Sequence, residues 1–199
     1  MQSVYNGGLT REQFLFYEIR IVAALVLQGL NREEILIKIN EENLFQFPTE
    51  RMINNITKAC FRRIDALNSE ALVEHLAFAS VDVAKQINLY AMMKYNRIVW
   101  DFMCTVIAEK FRTQDFSFSK KDINLFFLRL QEQDEAVASW SDQTINKIKQ
   151  VLVKSLCECG YIDSVKSETL NIVNIVPELE DVIKENNDFA ALPAFNCFS

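Results

Sequence analysis

SWSDQTINKIKQVLVKSLCECGYIDSVKSETLNIVNIV, residues Ser139–Val176, is the stretch on which the reading of the whole chain turns. After polar Ser139–Ser141, apolar Ile145, Ile148, Leu152 and Leu156 recur at helical spacing, which predicts an amphipathic helix over Asp142–Glu158. Gln143, Lys147, Gln150 and Lys154 fall at i, i+4, i+7 and i+11 on the other side, a row of hydrogen-bond donors along one exposed face. Gly160 marks the stop. Beyond it, Tyr161–Val165 and Leu170–Val176 are β-branched runs joined by Lys166-Ser167-Glu168-Thr169, which predicts a β-hairpin. A helix followed by a hairpin is the order of a recognition helix and its wing, with Lys166 near the wing tip, and such a helix fits a DNA major groove.

Working back along the chain, a second helix repeats the pattern. Thr49–Leu67 carries Met52, Ile53, Ile56, Cys60 and Ile64 on one side, with Arg51, Asn55, Lys58 and Arg62 at the same four spacings opposite. With Arg63, the segment from Arg51 holds four basic residues and no acidic one. Ile53-Asn54-Asn55-Ile56 aligns with Ile145-Asn146-Lys147-Ile148 at an offset of 92, and the preceding IKINEEN (Ile37–Asn43) matches LRLQEQD (Leu128–Asp134) at 91. Two helix-turn-helix units in tandem are the hypothesis this raises, although amphipathic helices produce such matches by chance and the connectors exceed the usual short turn.

The other elements follow from caps and breakers. Thr10-x-x-Gln13 predicts a capping box opening a helix that runs to about Gln28, where Gly29 stops it. Asn31 with Glu34 opens the next helix, and Ser119 with Asp122 another, over Asp122–Gln131. Asn68-Ser69 breaks the chain, and Ser80–Phe111, apolar over much of its circumference, predicts one or two long helices forming a buried spine. Pro177 opens an acidic helix, and the remainder predicts an irregular tail whose Phe189, Leu192, Phe195 and Phe198 are candidates for docking on the body. The expected fold is therefore mainly α: two helix-turn-helix-like subdomains, residues 1–79 and 80–199, joined by a long central helix, the second with a winged-helix hairpin.

Composition restricts function. Half of the 199 residues are hydrophobic, while Gly (4) and Pro (3) are scarce, as long helices require. The net charge of −6 argues at face value against nucleic acid. Residues 1–100 are balanced, however, so the negative excess lies in the second half, much of it after Asp163, and coexists with basic faces elsewhere. No apolar run approaches the roughly 20 residues of a membrane span. Five cysteines, an odd number without an export signal, are expected as reduced thiols in a cytoplasm. Cys157 and Cys159 lack a second ligand pair to complete a zinc site, and His75 is the sole histidine with no nucleophile beside it. The four glycines stand at Gly7, Gly8, Gly29 and Gly160, in turn or stop positions rather than in a phosphate-cradling loop. No enzyme, cofactor or metal is expected.

Tyr5–Ala23, Phe47–Arg63, Asp82–Met103, Phe116–Leu152 and the ending AALPAFNCF (Ala190–Phe198) together resemble the BrxA family of the BREX bacteriophage-defence system. The resemblance implies a cytoplasmic bacterial protein working among other BREX components, in a family compared with the RNA-binding protein NusB and also described as DNA-binding. It supplies no catalytic residues. The leading expectation is a non-enzymatic binder of double-stranded DNA, through Arg51, Asn55, Lys58, Arg62, Arg63, Gln143, Lys147, Gln150, Lys154 and Lys166. RNA binding on a NusB-like body and a protein adaptor joining BREX subunits are the alternatives.

Overall fold

A computed structural model describes residues 4–198 and is mainly helical. The chain forms α1 (Phe16–Leu27), α2 (Arg32–Glu41), α3 (Glu50–Leu67), α4 (Glu70–Phe78) and α5 (Val81–Tyr95). Then come α6 (Arg97–Phe102), a π-helical turn (Met103–Ile107), α7 (Ala108–Arg112), α8 (Lys120–Gln133), α9 (Glu135–Ala138), α10 (Asp142–Glu158) and α11 (Pro177–Glu185). Two 3-10 segments, Gly7–Thr10 and Phe189–Phe195, flank them.

Two compact units divide the chain. One is Leu15–Tyr95; the other comprises Met1–Phe14 and Asn96–Ser199. The first unit thus extends through α5, past the division at residues 79 and 80 expected from sequence, and the other takes in the N-terminal segment.

In the unit Leu15–Tyr95, α1 packs on α3 and α4, α3 and α4 pack on α5, and α2 closes against α3. The core comprises Ile19, Val22, Ile35, Ile39, Ile53, Cys60, Leu67, Leu72, Leu76 and most of α5. Its helix ends follow the caps. The Asn31 side chain accepts from the backbone of Glu33 and Glu34 while the Glu34 carboxylate accepts from the Asn31 N–H, a complete capping box. Thr49 caps α3 by accepting from the Met52 N–H, and Asn68 ends it in the left-handed region. Arg20 donates to the Ala77 and Ala79 carbonyls, closing the C-terminal end of α4.

In the other unit, the turn Gly7–Thr10 packs on α10, and the turn Phe189–Phe195 packs on α7, α11 and the π turn. The expected docking of the tail is carried by Leu192 and Phe195, both buried, whereas Phe189 and Phe198 are exposed. Tyr161 lies inside, stacked on Phe111 at 6.0 Å between ring centroids, and its hydroxyl donates to the Ala194 carbonyl. Gly160 stands at φ +76°, a conformation that costs glycine little, and ends α10.

Several expectations are corrected. The β-hairpin wing does not form. Among the described residues there is no strand, only an isolated antiparallel bridge between Ser117 and Thr169. Leu170 N–H donates to the Phe116 carbonyl and Phe118 N–H to the Glu168 carbonyl, so this segment bridges to the α7–α8 loop, while a single backbone bond, Asn171 N–H to the Tyr161 carbonyl, and the Asn171 side chain on Gly160 and Asp163 tie it to Tyr161–Val165 without a ladder. Tyr161 and Ile162, adjacent in sequence, are both buried, which an alternating strand does not allow. The long central helix is likewise broken. Asn96 is extended (φ −121°, ψ 116°), and its side chain accepts from the Ile98 N–H, restarting the helix as α6. Thr10 caps no helix: its hydroxyl donates to the Gly7 carbonyl within the 3-10 turn, and α1 begins at Phe16 after Leu15 in the left-handed region.

Candidate nucleic-acid interface

The two candidate helices lie in different units. On α10, Ser141 accepts from the Thr144 N–H and fixes the start of the helix. Ile145, Ile148, Val151, Leu152 and Leu156 anchor the buried side, which leaves the row Gln143, Lys147, Gln150 and Lys154 exposed. None of the four engages a partner among the described residues, so the full predicted row is available. Lys149 stands apart from it. Its ammonium donates to Asn124 Oδ1 at 2.8 Å and lies over the Phe127 ring, and partial burial there moves its pKa down although nearby Asp142 opposes the shift.

The α3 face is divided along its length. Arg51, Asn55 and Lys58 are exposed and engage no partner among the described residues. Arg62 is half-buried, with its guanidinium 5.4 Å from the centroid of the Tyr95 ring. Beside it, Arg32 donates from a single nitrogen, Nη2, to both Asp65 carboxylate oxygens (2.8 and 2.7 Å) and covers the Phe61 ring. Arg63, grouped from sequence with the exposed cations, is 1% exposed and belongs to the core. Lys166 is exposed on the turn Ser164–Ser167, where the Ser167 N–H donates to the Ser164 carbonyl, but stands on no wing.

Thr144 and Asn146 on α10, and Thr10 beside it, were not among the site residues expected from sequence. Thr10, Thr144 and Asn146 line a groove with Gln143, Lys147 and Gln150. Asn146 next to Lys147 on an exposed face was the available signal. A second cleft in this unit holds a more elaborate charge network. Lys110, almost buried, bridges Asp115 (3.0 Å) and Asp122 (3.2 Å), while the Tyr5 hydroxyl donates to Asp101. Burial and the Asp101 hydrogen bond push the Tyr5 hydroxyl up to about 12, so it stays protonated and a donor at neutral pH. Among the described residues no group of three or more His, Cys, Asp or Glu side chains is arranged to hold a metal ion. No helix of the described residues is long and apolar enough to cross a membrane.

Fold and surface define a class: an all-helical protein with cationic and carboxamide side chains ranked along exposed helix faces. Within that class the chain belongs to the BrxA family, whose family model matches residues 3–187. It is 33% identical over 165 residues to the BREX protein BrxA of Bacillus cereus (strain H3081.97), covering 83% of this chain and 82% of that protein. It is 26% identical over 171 residues to the BREX protein BrxA of Paramagnetospirillum magneticum (strain ATCC 700264 / AMB-1), covering 86% and 85%. The crystal structure of an uncharacterized protein from Magnetospirillum magneticum superposes with a TM-score of 0.82 at 24% identity, over 96% of this chain and 97% of that one, a likeness of fold.

Proposed function

We propose that this BrxA-family protein is a non-enzymatic component of a BREX phage-defence system that binds double-stranded DNA. The observation that carries the reading is the intact α10 row: Gln143, Lys147, Gln150 and Lys154 share one exposed face, unencumbered by partners among the described residues. Lysines there neutralise phosphates, while glutamine carboxamides, which donate and accept together, suit base edges in the roughly 12 Å major groove. Arg51, Asn55 and Lys58 on α3 offer a second, shorter face of the same chemistry. With few cations on an acidic protein, binding is modest, salt-sensitive and weakly sequence-specific. Fluorescence anisotropy of a labelled duplex tests it: Lys147→Glu with Lys154→Glu abolishes binding at moderate salt, and unchanged affinity overturns the proposal.

A protein–protein adaptor within BREX is the second reading, favoured by Leu125 and Leu128, which stand 42% and 53% exposed on α8. Co-purification of other BREX proteins that survives neutralisation of the α10 row, together with loss on Leu128→Glu, supports this reading over DNA binding.

A further inference from the structure

We infer that the 3-10 turn Gly7–Thr10 and the first turns of α10 form one groove that seats a single sugar–phosphate strand of the duplex, adding Asn146 and the Thr10 wall to the α10 row. The inference rests on the duplex-DNA reading above and deepens it. The groove, about 830 Å³, is lined by Thr10, Gln143, Thr144, Asn146, Lys147 and Gln150. Its lining is hydroxyl, carboxamide and one ammonium, with no carboxylate, on a chain whose net charge is −6. A more highly charged cleft of this unit, by contrast, sets Asp101, Glu109, Asp115 and Asp122 against Arg97, Lys110 and Arg129, so its cations are offset by carboxylates.

The turn is built to hold this wall in place. Asn6 Oδ1 accepts from the Gly8 N–H, the Gly8 carbonyl accepts from the Arg11 and Glu12 N–H groups, and the Thr10 hydroxyl donates to the Gly7 carbonyl. Gly7 lies directly against the helix, since a Cβ there would stand 3.7 Å from Thr144 Cγ2. The turn therefore bounds the groove beside the α10 row at the N-terminal end of the helix. Facing it are the carboxamides of Gln143, Asn146 and Gln150 and the Lys147 ammonium, donors suited to one run of phosphate oxygens. One cation against one strand also sets the electrostatics: Lys147 neutralises a single phosphate, so a second cation beside it deepens the salt dependence measurably.

The test is duplex binding by fluorescence anisotropy across salt, with folding checked by circular dichroism. Asn146→Lys is expected to tighten binding about fivefold and to steepen the log–log salt slope by about 0.9, the increment of one further phosphate contact. Glu132→Gln makes the same change in charge on the exposed side of α8, outside the groove, and is expected to alter binding far less. Thr10→Glu, placing a carboxylate in the wall, is expected to weaken binding at least tenfold. If Asn146→Lys gains no more than Glu132→Gln, or folded Thr10→Glu binds like the parent, the groove assignment is overturned. Loss of affinity in Lys147→Glu then leaves the DNA reading standing, whereas unaltered affinity in Lys147→Glu overturns both.

Discussion

Replacing Lys147 and Lys154 with Gln removes two cations from α10 without breaking any contact among the described residues, since both ammonium groups are exposed and neither engages a partner there. Surface substitutions of this kind shift stability by about 0.5 kcal/mol or less, so an effect on binding is separable from unfolding. If Lys147 and Lys154 each neutralise one phosphate at about 0.9 per contact, they supply about 1.8 of the parent's log–log salt slope, which is about 12-fold in affinity between 50 and 200 mM salt. The double variant loses both contacts, so its slope is shallower than the parent's by about 1.8. Anisotropy titrations at four salt concentrations measure both slopes. A slope unchanged in the double variant refutes the assignment of the α10 row to phosphate contact, whatever the absolute affinities.

Three further outcomes follow from the structure. Arg63→Ala, at a position 1% exposed, is expected to lower stability by about 1–3 kcal/mol in urea denaturation through the lost packing of a buried side chain, while the milder Arg51→Ala stays within about 0.5 kcal/mol. Phe195→Ala empties a fully buried site in the C-terminal turn and is expected to cost about 3–5 kcal/mol, so a near-parental midpoint would show that the turn is not part of the core. Hydrogen bonds from Ser117 and Lys110 hold the Asp115 carboxyl down at about 2, from an ordinary value of 3.8. Because the folded value is the lower one, Asp115 contributes stability above pH 3.8 that is lost as pH falls towards 2. Asp115→Asn accordingly flattens the acid-unfolding curve across that window, and an identical curve would contradict the assigned hydrogen bonds.

The helices that bear the candidate faces were readable because local caps and periodicity act over only a few residues. Thr49 and Ser141 begin α3 and α10 as their side chains dictate, and Ser119 with Asp122 forms the expected capping box on α8. What was missed depends in part on distant contacts and in part on local signals that compete with one another. Tyr161–Val165 has strand-like composition, yet Tyr161 is drawn inward by Phe111 and the Ala194 carbonyl, a partner 33 residues away. Asn96 breaks the central helix from within an apolar run, capping α6 through a single local hydrogen bond that competes with helix continuation. Arg63 follows Ala59 by four and precedes Leu67 by four, both buried, so spacing placed it inside while its charge suggested a surface role. The groove beside α10 joins Thr10 to Asn146 across most of the chain, and no periodicity reports such a pairing.

The most direct test of the account is competition at fixed salt between a labelled DNA duplex and unlabelled structured RNA for the intact protein. Saturable duplex binding that unlabelled duplex displaces better than RNA does is expected. Absence of duplex binding at low salt, or stronger displacement by RNA, contradicts it.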